Sequence, residues 1–170
     1  MLRLSDAVVV AAVAGSGGIS AIVDLRSRRV PNPLTLGIAV LGIVLAAAHV
    51  TNVSIMGALA GCALGFVLML PGHYIGATGA GDVKLFAALG TLLGPTHILV
   101  AFVYTAIAGG LVAVIVAIRR RRLRETVGRT AALVRTGGAN VGDIEKVSAD
   151  NRFAYAPAIA IGALAAALGF

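Results

Sequence analysis

Two of the seven acidic residues in this chain stand at the edges of apolar runs, where a carboxyl group is least easily accommodated. Asp24 closes one run and is followed by Leu25-Arg26-Ser27-Arg28-Arg29-Val30-Pro31-Asn32. Asp82 opens another, within Gly76-Ala77-Thr78-Gly79-Ala80-Gly81-Asp82-Val83-Lys84-Leu85. Two carboxyl groups brought together share a proton, because neighbouring like charges raise the proton affinity of one of them. The ionised member can activate water while the protonated member polarises a peptide carbonyl. Such a pair hydrolyses an amide without a serine or cysteine nucleophile.

Each aspartate also has a plainer explanation. Asp24 can form an i,i+4 ion pair with Arg28 at a helix end, worth a few tenths of a kcal/mol. Asp82 precedes an apolar run and is a good N-cap. A cap alone leaves Gly79 and Gly81 unexplained; paired glycines permit positive φ and the close approach of another backbone. Pro31 and Pro33 stop any helix after Asp24 and fix a tight loop.

The other polar side chains offer less. Asp6 lies at the far end of the first apolar run, and Glu125, Asp143, Glu145 and Asp150 fall in the one long polar stretch. His49, His73 and His97 are scattered, so no metal site and no cofactor is expected, although His73 could line a cleft beside Asp82. Cys62 is the lone cysteine, which excludes an internal disulfide and a Cys-x-x-Cys zinc site.

The elements that must position Asp24 and Asp82 follow from composition. Hydrophobic residues make up 59% of the chain and charged residues only 12%, about half of what a soluble domain carries. Mean hydropathy is +0.98. Lipid must therefore solvate many of the apolar side chains. Six apolar stretches stand out, at 7–23, 34–50, 53–71, 83–93, 97–118 and 154–170. The fourth is too short to cross a bilayer, which suggests a helix that begins below the surface and places Asp82 in a recessed cleft. Gly57, Gly61 and Gly65, at four-residue spacing, read as a close-packing row.

Charge sets the orientation. If the links after the first, third and fifth stretches share one side, that side holds thirteen of the fourteen basic residues, leaving only Arg3 opposite. Basic loops stay in the cytoplasm, so both aspartates face the cytoplasm and both termini lie outside it. The net charge of +7 has this topological origin and points to no nucleic acid. Asp6 in the leader, and a basic cluster that follows the first stretch, predict a retained helix rather than a cleaved signal. Residues 119–153 form a basic cytoplasmic loop, in which Leu123, Val127, Ala131 and Val134 recur at helical spacing and predict an amphipathic surface helix. The expected fold is all-α: residues 1–170 as one polytopic bundle of six transmembrane helices.

With these residues in place, a resemblance emerges. Gly79-Ala80-Gly81-Asp82, followed by Val83-Lys84-Leu85, resembles the GxGD motif of the type IV prepilin peptidase family. Asp24 with Arg28-Arg29-Val30-Pro31-Asn32 is similar to that family's first catalytic aspartate and its loop. Tyr155-Ala156-Pro157-Ala158-Ile159-Ala160 resembles its closing helix. The resemblance runs along nearly the whole chain. It implies a membrane-embedded aspartic endopeptidase of the cell membrane that removes leaders from prepilin-like membrane proteins at the cytoplasmic face. Asp24 and Asp82 would be its catalytic pair, with Gly79, Gly81, Lys84, Arg28, Pro31 and Asn32 in support. The sequence departs from the long bifunctional members in lacking their extra cytoplasmic domain with paired cysteines, so amino-terminal methylation is not expected. Its size is similar to that of the short Tad/Flp-type peptidases. Glu125, Asp143, Glu145 or Asp150 could attract a basic leader, with a solvated loop the plainer reading of each. Two other functions compete: a small transporter or channel using the buried acids, and a non-catalytic pilus-assembly scaffold in which they serve as caps and ion pairs.

Overall fold

The apolar stretches become helices, and the computed structural model describes residues 3–119 and 155–169. Five helices form there: α1 (Leu4–Ser27), α2 (Asn32–Ala47), α3 (Ile55–Tyr74), α4 (Ala80–Arg119) and α5 (Ala156–Ala167). No strand occurs among the described residues. Helix α1, helix α3 and the Ala80–Ile115 part of α4 are long and apolar enough to cross a membrane; α2 and α5 are shorter apolar helices. Large side chains such as Ile22, Val40, Phe66, Val103 and Leu111 stand exposed around the bundle, as they can where the surroundings are apolar. The basic stretch after Arg119, with its expected amphipathic helix, lies outside the described residues.

Local chemistry sets the helix ends. Arg28 terminates α1 in the left-handed conformation, with φ 52°, and returns its N–H to the Asp24 carbonyl oxygen at 2.7 Å. Pro31 caps α2, and Pro33 follows in its first turn, where a missing N–H would be unpaired anyway. Ser54 caps α3, its Oγ accepting the Gly57 N–H at 3.0 Å.

Helix α4 contains both stretches read as separate segments, 83–93 and 97–118, and its helical backbone is interrupted between them. Straight, it would be ~60 Å long, twice the ~30 Å hydrocarbon core. It is not straight. Gly94 has φ 71° and ψ 179°, a region essentially reserved for glycine, and beyond it the chain doubles back. A Cβ built on Gly65 would lie 3.0 Å from the Phe86 carbonyl oxygen and 3.3 Å from Ile98 Cγ1. A straight helix would hold residues 86 and 98 ~18 Å apart. Phe86 and Phe102 also meet edge to face, with ring centroids 6.2 Å apart. Helix α4 is thus a hairpin with two arms, joined so tightly at Gly94-Pro95 that no separate linker intervenes.

The first arm forms the centre of the bundle. Val83, Leu85, Phe86, Leu89 and Leu92 are all buried, and a helix apolar around its circumference belongs inside. The helices of the bundle approach one another on small residues. Gly61 of α3 faces Gly90 and Gly94, Gly42 of α2 faces Thr91, Gly162 of α5 faces Ala101 and Thr105, and Gly17 of α1 faces Ala160. Gly61 and Gly65 therefore serve the packing role read from their spacing.

Consecutive helices run in alternating directions. The end of α1 and the starts of α2, α4 and α5 gather at one end of the bundle, where Gly109 of the second α4 arm also arrives beneath Tyr155. At the opposite end, Asn52 Nδ2 donates to Ser5 Oγ at 3.0 Å and to Asp6 Oδ1 at 3.1 Å.

Candidate active site

Asp24 lies in the last turn of α1 and Asp82 is the third residue of α4; they are 5% and 8% exposed. One oxygen of each is held by a backbone amide at the start of a helix. Gly79 N–H donates to Asp82 Oδ2 at 2.9 Å, and Ala156 N–H donates to Asp24 Oδ2 at 3.1 Å.

Both contacts follow from the free N–H groups that every helix start leaves over. In α5, Pro157 has no N–H and Ala158 donates to the Tyr155 carbonyl at 3.0 Å. The Ala156 amide needs an acceptor from elsewhere, and Asp24 provides it. Asp82 was expected as an N-cap; instead it sits three residues beyond Gly79 and reaches back to its amide, as the acidic member of a capping box does. The alternative reading of Asp24 does not hold either. Among the described residues its carboxylate forms no ion pair with Arg28, whose N–H contacts the Asp24 backbone.

The two motifs meet. Lys84 Nζ, one turn into α4, donates to Asn32 Oδ1 at the start of α2, at 2.9 Å. Val30, in the loop after α1, packs on Gly81: a Cβ there would lie 3.4 Å from Val30 Cβ. Arg28 and Pro31 end α1 and begin α2 on either side of Val30, so the loop is held across the start of α4.

The glycines of this segment are not there for positive φ. Neither Gly79 nor Gly81 has it; Gly76 does. Gly79 instead provides room, since a Cβ on it would lie 3.2 Å from Asp82 Oδ2. His73 is exposed and its Nδ1 lies 3.2 Å from the Thr78 carbonyl oxygen, which ties down the α3–α4 link. Among the described residues, no group of three or more His, Cys, Asp or Glu gathers to hold a metal. Cys62 is half-buried in α3. Glu125, Asp143, Glu145 and Asp150 lie outside the described residues.

One neighbour of the site was not singled out by sequence reasoning. Tyr155 counted only as part of the closing motif, yet it caps α5 beside Asp24 and its ring rests on Gly109. The only local hint was a pair of glycines, Gly109-Gly110, in an otherwise apolar helix. The arrangement offers two buried carboxyl groups at one end of an apolar bundle, each oriented through one oxygen. A family model for the type IV leader peptidase family matches residues 11–114. No curated protein and no solved structure matches the chain.

Proposed function

Since the chain belongs to the type IV leader peptidase family and is therefore a peptidase, we propose that it is an aspartic endopeptidase with Asp24 and Asp82 as its catalytic pair. The observation that carries this reading is the matched seating of the two carboxyl groups. Each is buried, each is fixed by an amide at a helix start, and the two belong to segments joined through Lys84–Asn32 and Val30–Gly81.

In the proposed reaction one aspartate takes a proton from water as the water oxygen bonds to the scissile carbonyl carbon. The other gives its proton to the carbonyl oxygen. Collapse of the tetrahedral intermediate breaks the carbon–nitrogen bond: the aspartate that took the water proton passes it to the leaving amine, and the other recovers its proton from a hydroxyl of the intermediate. The pair returns to its starting protonation, and the products are a carboxylic acid and a free amino terminus.

The proposed topology counts the α4 hairpin as two passes, giving six crossings in the cell membrane with both termini outside the cytoplasm. It rests on the bias of basic residues to one side and on the doubling back at Gly94. Asp24 and Asp82 then face the cytoplasm. A substrate with a short basic leader ahead of an apolar helix presents its junction at that level, which fits prepilin-like precursors of the Tad/Flp kind.

Asp24→Asn and Asp82→Asn test the dyad. Asparagine keeps an oxygen that can accept the Ala156 or Gly79 amide, so each variant should insert and fold. Each should leave a co-expressed prepilin uncut, as read from the mass of its amino terminus. Normal processing by either variant would remove the dyad from the mechanism. Asp→Glu variants separate hydrolysis from ion passage: a transport role tolerates the longer side chain, whereas hydrolysis at a fixed geometry does not.

A further inference from the structure

Helix α5 holds Asp24 through a backbone amide, so whatever fixes the start of α5 also fixes that carboxyl group. Contacts on two neighbouring helices do so. Towards α1, Ala156 N–H donates to Asp24 Oδ2 at 3.1 Å, and a Cβ built on Gly17 would lie 3.1 Å from Ala160 Cβ. Towards the second arm of α4, Gly162 lies against Thr105, and the Tyr155 ring lies on Gly109. A Cβ on Gly109 would be 2.6 Å from Tyr155 Cε2, 2.8 Å from its hydroxyl oxygen and 2.9 Å from Cζ. The outer edge of the ring thus fills the space that any larger residue at position 109 would need. The adjoining Gly110 has open space where its side chain would be.

Ala160 stands one turn beyond Ala156, ~6 Å along the axis, and Gly162 stands further still. Tyr155 directly precedes the amide that holds Asp24. Its carbonyl oxygen accepts from Ala158 and Ile159 at 3.0 and 3.2 Å, so it belongs to the helix start that it precedes. This is a position where serine, threonine, asparagine or aspartate normally bonds a free amide. Tyr155 makes no such side-chain bond. Its ring instead reaches across to another helix.

Resting on the dyad reading, we propose that Tyr155 and Gly109 are a pair of positioning residues for Asp24. The ring seated on Gly109 sets where α5 begins, and with it the Ala156 amide that aims the carboxyl group. The contact is one of shape, so the ring carries it and the hydroxyl is secondary. Displacing the ring shifts the amide, and the carboxyl group follows.

The test is steady-state cleavage of a prepilin by the full-length enzyme in detergent. Tyr155→Leu removes the ring edge without adding bulk, and Gly109→Ala pushes the ring off its seat. Each should lower kcat by up to ~100-fold, the scale of a misplaced reacting group. The loss should fall on kcat with KM unchanged, because Asp24 acts in bond breaking. Phenylalanine at position 155 should recover most of the activity lost with leucine, and Gly110→Ala should cleave as the wild type does. Gly109→Ala combined with Tyr155→Leu should lose no more than Tyr155→Leu alone, since the added methyl group no longer meets a ring. Thermal unfolding accompanies each assay, and should Gly109→Ala not accumulate, Tyr155→Leu decides. Wild-type kcat in folded Tyr155→Leu, with Asp24→Asn inert, would overturn the positioning role and leave the dyad standing. A raised KM at unchanged kcat, or equal losses in Tyr155→Phe and Tyr155→Leu, would overturn it as well. Normal cleavage by Asp24→Asn would instead remove the dyad on which it rests.

Discussion

At the residue scale, the two carboxyl groups of the candidate site each satisfy a backbone amide at a helix start. Asp24 completes the start of α5 and Asp82 completes the start of α4, each through Oδ2. The two glycines of the Gly79-Ala80-Gly81 segment should therefore respond differently to a methyl group. At Gly79 it would press on Asp82 Oδ2 at 3.2 Å, whereas at Gly81 its nearest contact is an ordinary 3.4 Å to Val30. Gly79→Ala should lose kcat by up to ~100-fold, the scale expected when a reacting group is misplaced, while Gly81→Ala keeps most of its activity. Parallel cleavage assays on the two variants check this order, and equal losses would refute it. Asp24 and Asp82 were legible because polar residues beside apolar runs are conspicuous, whereas Asn32 and Lys84 entered only through the family resemblance. The bond from Lys84 to Asn32 was not legible, as 52 residues separate the partners. Nor was the Ala156 amide, which has no side chain to announce it; Pro157, which removes the next donor, was the sole trace.

At the element scale, the decisive feature is the reversal of α4. Hydropathy marked two stretches with Gly94-Pro95-Thr96 between them, and Gly-Pro is a recognisable break. What the pattern did not carry is that the reversal is made at a single residue, because this depends on one torsion pair at Gly94. An alanine there would occupy a strained region at a cost of ~1–3 kcal/mol. Gly94→Ala should lower the unfolding temperature in detergent, and an unchanged value would mean that the reversal does not depend on glycine. Gly61→Val tests the α3 contact independently. A Cβ at position 61 already approaches Gly94 Cα to 2.9 Å, and overfilling a packed contact costs ~1–3 kcal/mol. That variant should accumulate poorly and yield sooner to added protease. The Gly57-Gly61-Gly65 row was readable as a packing surface from spacing alone; its partner helix was not.

For the whole molecule, the prediction is one of sidedness. With Cys62 replaced by alanine as background, a cysteine at the exposed position Arg29 should react only with reagent supplied from the cytoplasm. One at the exposed position Val50 should react only from outside. Labelling of both from the same side would refute the alternating topology. The all-helical class and the apolar bundle followed from composition, because a chain with so few charges has few other ways to satisfy its backbone in lipid. Which helices touch was beyond reach, since that depends on complementary surfaces far apart in the chain. The bond from Ala156 to Asp24, spanning 132 residues, is the longest such case among the described residues and has a consequence for biogenesis. A ribosome that has reached residue 119 has delivered both aspartates but neither the Ala156 amide nor Tyr155. If Asp24 acts as proposed, the nascent chain would stay inactive until α5 docks, and chain order would serve as a delay line.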